Sequence, residues 1–135
     1  MLRRTVPADL DRTGDVTRMV REAAAAAGFP AERALRLELA VEEAFVNICR
    51  HAFPDGGGEV VVRLRPEAGQ LTVELEDAGP AFDPLGVRTQ LEGHDLESRS
   101  PGGVGLPMIR RLADSVTYRR LRGRNRLSLT LDRHG

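Results

Sequence analysis

A few residues of this 135-residue chain stand where they could do chemistry. Glu43 and Asn47 lie four apart in L-A-V-E-E-A-F-V-N-I-C-R-H, so a helix would place a carboxylate and an amide on one face, one turn apart. Asp77 closes the alternating run L-T-V-E-L-E-D. Counting by two from Leu71, Val73 and Leu75 puts its carboxylate on the core-facing side of a strand. Desolvating a carboxylate there is costly unless a group donates hydrogen bonds to it. Further on, Gly102-Gly103-Val104-Gly105-Leu106 runs directly into P-M-I-R-R-L-A-D. A glycine-rich turn feeding a helix N-terminus presents unpaired N–H groups and a positive dipole end, which together bind phosphate.

Each feature also has a plainer account. Glu32, Arg36, Glu43, Asn47 and Arg50 could form an ordinary solvated helix face with i,i+4 pairs. Asp77 could simply cap a turn through the backbone of Ala78-Gly79. The glycines could be a flexible turn before a helix. Against the first account, Leu39, Ala40 and Val46 flank Glu43 and Asn47 with apolar surface, which points to something covering that side.

The elements that must position these groups follow from periodicity. Ala34, Leu37, Val41, Ala44, Phe45 and Ile48 form the buried stripe of a helix opened by Phe29-Pro30 and running to about Phe53. A preceding helix spans about Asp15 to Ala27, capped by Asp15 and stopped by Gly28. Arg3 to Val6 reads as a short first strand ended by Pro7. Glu59–Arg65 and Leu71–Asp77 alternate around the turn P-E-A-G-Q, an antiparallel hairpin. Ser115–Leu121 and Asn125–Leu131 form a second one about Arg122-Gly123-Arg124, with Leu127, Leu129 and Leu131 inward. Between Asp83 and Pro101 the chain is polar and weakly periodic, a lid-like loop. The expected fold is α/β: a two-layer sandwich, with a mixed and mainly antiparallel sheet carrying helices on one face, in one domain over 1–135.

Composition narrows the function classes. The 20 basic residues balance 20 acidic ones, which removes any general electrostatic case for nucleic acid or an anionic membrane. All the basic residues are Arg. Without a single Lys, a Walker A loop, a Schiff-base mechanism and the protein-kinase strand lysine are excluded. Cys49 stands alone, so no disulfide framework exists, and no Cys/His cluster has metal-site spacing. Neither a leader-like apolar region nor a membrane-length run is evident, and a cytoplasmic protein is expected. Arg110, Arg111, Arg119, Arg120, Arg122, Arg124 and Arg126 make the last third locally basic, either a solvated hairpin rim or a docking surface for an acidic protein.

Taken in order, E-A-F-V-N at 43–47, D-A-G-P-A-F-D at 77–83 and G-G-V-G-L at 102–106 resemble the three ATP-binding boxes of the GHKL superfamily, whose domain is the Bergerat ATP-binding fold. Within it the chain is similar to anti-sigma factor serine kinases of the RsbW and SpoIIAB type. The resemblance implies ATP and Mg²⁺ as cofactors. It implies Glu43 as general base or orienting carboxylate, Asn47 as the Mg²⁺ ligand, and Asp77 as acceptor for the adenine amino group. Gly79 would let the backbone approach the base, and Gly103, Val104, Gly105 and Leu106 would meet the phosphates. It implies protein partners, namely a sigma factor or similar regulator and an anti-sigma antagonist phosphorylated on Ser or Thr, with no direct nucleic acid or membrane contact. A homodimer is suggested by resemblance alone. His51 matches a frequent family histidine and reads as structural. Two positions depart from the pattern. Ala81 stands for a glycine, and Pro101 for an arginine that Arg99 could replace. These departures keep a second reading open, an ATP-binding module that sequesters a protein without phosphoryl transfer.

Overall fold

The computed structural model describes residues 1–81 and 108–134. The lid-like stretch from Asp83, Arg99, Pro101, and the box residues Gly103, Val104, Gly105 and Leu106 lie outside the described residues. Strand β1 (Leu2–Pro7) is followed by a 3-10 turn (Leu10–Arg12), helix α1 (Thr13–Ala26) and helix α2 (Ala31–Ala52). Strands β2 (Glu59–Glu67) and β3 (Gln70–Asp77) come next, then helical residues 108–112, β4 (Ser115–Leu121) and β5 (Arg124–Asp132). The sheet order is β1-β2-β3-β5-β4. Every pairing among the described residues is antiparallel, so the sheet expected as mixed has no parallel pair there.

Alternation explains the layering. Val60, Val62 and Leu64 on β2, Leu71, Val73 and Leu75 on β3, and Leu127, Leu129 and Leu131 on β5 turn to one side and are buried. On them pack Val16, Met19, Val20 and Ala24 of α1, and Leu37, Ala40, Val41, Ala44, Phe45 and Ile48 of α2, at the spacings of helix stripes. Ala34, expected in that stripe, is only half-buried. Phe45 is fully enclosed, and truncating it to Ala would cost about 3–5 kcal/mol.

Local chemistry sets the element ends, not always as expected. Helix α1 starts at Thr13 with no side-chain cap, so Asp15 is not its cap. Instead Asp9 accepts a hydrogen bond from the Asp11 N–H at 2.9 Å, and the 3-10 turn it starts leads into the helix. At the far end Gly28, at φ 79°, donates to Ala25 O while Phe29 N–H reaches back to Ala24 O, the paired bonds of a Schellman stop. Pro66, expected in a turn, belongs to β2 opposite Leu71. Because β1 pairs with β2 only as far as Leu64, the missing Pro66 N–H faces no strand. The second hairpin turns on Arg122 and Gly123, both at positive φ (55° and 77°), the handedness that matches strand twist.

The sheet face away from the helices is not an ordinary wet surface. Glu74 and Glu76 are buried on it, 7% and 6% exposed. Glu76 accepts from Arg63 at 2.8 Å, from Arg126 at 2.9 Å and from Arg124. Burial would raise the Glu76 pKa, but those arginines win and hold it down at about 2. Of the C-terminal arginines, Arg124 and Arg126 are paired with Glu76 and Arg120 turns to the other face, whereas Arg110, Arg111, Arg119 and Arg122 are exposed. Across the molecule, Arg33 of α2 donates to Asp132 O at 3.0 and 3.1 Å and to Asp114 at 2.8 Å, tying the helix to the end of β5.

Candidate functional site

Where the C-terminal half of α2 crosses the ends of β3 and β5, the described residues enclose a pocket. Ala44, Asn47, Ile48 and Ala52 of α2 form one wall, and Leu75 and Asp77 of β3, Ile109, Tyr118 of β4, and Asn125 and Leu127 of β5 form the rest. The lining is chiefly apolar with a few convergent polar groups, the usual make-up of a site for a flat organic ligand.

Asp77 sits in it as strand parity required, 3% exposed. Its Oδ1 accepts from the Gly79 N–H at 2.8 Å and from Asn125 Nδ2 at 3.1 Å. The turn-capping bond therefore exists, but it occupies only one oxygen. Oδ2 has no hydrogen-bond partner among the described residues. Gly79 is also needed for space, since a Cβ there would lie 2.7 Å from the Ala52 Cβ on α2. The backbone after β3 thus runs against the end of the helix, where only glycine fits.

Asn47 is 4% exposed, so it is not part of a solvated face. Its Nδ2 is buried without a hydrogen-bond partner, and no partner of its amide oxygen occurs among the described residues. A buried amide left unpaired costs about 1–3 kcal/mol and marks a place where something else completes it. Glu43, one turn earlier and half-buried, has no partner among the described residues and does not line the pocket. Near the helix end, the His51 pKa is lowered by partial burial and by the neighbouring Arg50 charge. Burial, then the Asp9 charge, pushes the Cys49 thiol up to about 11, so it stays a neutral thiol near neutral pH. Among the described residues no group of His, Cys, Asp and Glu could hold a metal by itself.

Three site residues escaped the sequence reading. Asn125, directly opposite Asp77 in the β3–β5 register, donates through Nδ2 to Asp77 and to Pro80 O at 2.8 Å. Its Oδ1 accepts from the Tyr118 hydroxyl at 2.6 Å and from Arg120 Nη1 at 3.1 Å. Arg120 Nη1 also donates to Gly79 O at 2.8 Å. Parity held the clue: Leu127, Leu129 and Leu131 face inward, and one more step of two reaches Asn125.

The described arrangement has counterparts among known proteins. Residues 6–131 match the model of the histidine kinase-like ATPase domain. The chain is 33% identical over 95 residues to the serine/threonine-protein kinase BtrW of Bordetella bronchiseptica, covering 70% of this chain and 67% of that one. It is 37% identical over 99 residues to the serine-protein kinase RsbW of Listeria innocua, covering 69% of this chain but 62%, under two thirds, of that relative's length. The fold is similar to that in a crystal structure of RsbU and RsbW domains from Mycobacterium tuberculosis, with a TM-score of 0.63 at 17% identity over 98% of this chain and 32% of that one. Among the described residues no helix is long and apolar enough to cross a membrane.

Proposed function

Since the chain belongs to the histidine kinase-like ATPase domain family, the GHKL superfamily, we propose that it is an ATP- and Mg²⁺-dependent serine-protein kinase and anti-sigma factor of a partner-switching system. In this reading it binds a sigma factor or similar regulator and phosphorylates an antagonist protein on Ser or Thr. The partners rest on resemblance, and the relatives' names speak only for serine-protein kinase activity. The observation that carries the nucleotide site is Asp77: a core-facing carboxylate lining a chiefly apolar pocket, with one oxygen saturated and the other without a hydrogen-bond partner among the described residues. That oxygen accepts the exocyclic amine of adenine while Ile48, Leu75, Ile109 and Leu127 pack about the ring.

The donor set suits a hard cation. Asn47 is a buried amide with nothing bound to it among the described residues, and its side-chain oxygen is a hard ligand of the kind such a cation takes. It would hold Mg²⁺, which would supply positive charge to neutralise the phosphates. Glu43 accepts the proton of the substrate hydroxyl as that oxygen bonds to the terminal phosphorus. The bond from that phosphorus to the bridging oxygen breaks, and ADP leaves with the electron pair. Gly103, Val104, Gly105 and Leu106, by the family resemblance, would supply main-chain N–H groups to the phosphates.

A thermal-shift titration with ATP and Mg²⁺ tests the binding half. Ligand at a hundred times its dissociation constant adds about 2.7 kcal/mol, and Asp77→Asn should abolish that gain. Phosphotransfer to a cognate antagonist should fall roughly 10²- to 10⁴-fold in Glu43→Ala while ATP binding persists. Transfer that survived Glu43→Ala would remove the role given to Glu43, and binding without transfer in the unaltered protein would leave a sequestering module.

A further inference from the structure

The polar end of the pocket is built by two strands, and the second contributes a fixed amide. The orientation of the Asn125 side chain is set by chemistry alone. One end faces Arg120 Nη1, which can only donate, so that end is the oxygen. The other faces Pro80 O, which can only accept, so that end is the nitrogen. The Tyr118 hydroxyl, 2.6 Å from Oδ1, adds a second donor to the oxygen. Asn125 is 5% exposed, and these partners leave it one way to point. Its nitrogen is therefore committed as a donor to Asp77 Oδ1, the same oxygen that the Gly79 N–H already occupies.

From this geometry we infer that Asn125, clamped by Tyr118 and Arg120, is a positioning residue for base recognition. It binds one oxygen of Asp77 and so fixes the other as the acceptor that reads the exocyclic amine. Arg120 extends the clamp to Gly79 O, so the loop leaving β3 is gripped by the same guanidinium. The amide, the phenol and the guanidinium all come from the last hairpin, and none of them needs to touch the nucleotide to act. Without them the Asp77 carboxylate can rotate about its χ2, share its oxygens between turn and ligand, and lose discrimination. The inference rests on the reading of Asp77 as the adenine acceptor.

The test compares two nucleotides on the full chain with Mg²⁺: ATP, and purine riboside triphosphate, which lacks only the 6-amino group. In the unaltered protein, losing a hydrogen bond to a carboxylate should weaken binding by roughly tenfold to a hundredfold. In Asn125→Ala the ratio between the two nucleotides should shrink to about threefold or less, because ATP loses affinity and the analogue does not. Tyr118→Phe removes a single hydroxyl and should shrink the ratio in part, and it carries the test if Asn125→Ala fails to fold. A merely structural Asn125 would lower both affinities together and keep the ratio, which overturns the inference while leaving Asp77 as the acceptor. An unaltered protein that binds both nucleotides equally, or neither, overturns the reading of Asp77 itself and the inference with it.

Discussion

Glu76 and Asp77 are adjacent in β3, both nearly buried, and they face opposite sides of one sheet. Glu76 lies among Arg63, Arg124 and Arg126, three cations that fill its acceptor sites and hold its pKa at about 2. Among the described residues Asp77 meets only neutral donors, a backbone N–H and an amide, and both crowd onto one oxygen. One carboxylate is finished within the fold, and the other is left half-finished beside a pocket. What separates a structural acid from a recognition acid here is not depth but unfilled acceptor capacity. Burial or charge counting alone would have ranked the two alike.

The contrast can be broken most forcefully at Glu76. Glu76→Ala leaves three arginines without their shared partner and should cost about 3 kcal/mol in urea unfolding, with the ATP-induced gain in melting temperature intact. Asp77→Asn should do the reverse, changing the stability of the ligand-free protein by less than about 1 kcal/mol. Equal destabilisation by both would dissolve the distinction. Gly79→Ala comes next. Its added methyl would press on Ala52, and about 1–3 kcal/mol of stability should be lost together with nucleotide affinity, since the bond to Asp77 moves with it. A variant as stable as the parent would show that the backbone can shift away from α2.

Acid gives a graded effect and the sharpest control. Glu76 has its pKa depressed on folding, from 4.5 to about 2, so its contribution is complete above pH 4.5 and is lost as the pH falls toward 2. Because Arg124 and Arg126 are partly exposed and screened by solvent, the change should amount to about 1–2 kcal/mol. Glu76→Gln should remove that part of the pH dependence in urea titrations across this window. A gap between parent and variant that stayed constant with pH would place the stabilisation elsewhere.

Strong periodicity made much of this legible beforehand. The Leu37–Ile48 stripe, both hairpins and the inward Asp77 rested on burial patterns that repeat every two or three to four residues. Single-residue decisions were harder. Asp15 reads as a cap because a 3-10 turn nucleated at Asp9 has no periodic signature. Pro66 reads as a turn residue because nothing local says that the neighbouring strand stops short of it. The arginine-enclosed glutamates were hidden for another reason. Alternating polar residues look the same whether they face water or one another across strands, and only the register brings Arg63, Arg124 and Arg126 onto Glu76. Glu43 and Asn47 share helical spacing, yet of the two only Asn47 lines the pocket.

The sheet order has a consequence for how such a chain comes into being. Strand β5 lies between β3 and β4, so a central place in the sheet is filled by the last in chain order of the described strands. Until Arg124–Asp132 emerges, β3 offers an open edge of Leu71, Val73 and Leu75, and β4 has nothing to lie against. Helix α2 waits as well, since Arg33 finds its carbonyl partner 99 residues later. Closure of the sheet therefore waits until residues 124–132 have been made. A ribosome that stalls before residue 124 would release a sticky half-sheet, the kind of nascent chain that chaperones must shield.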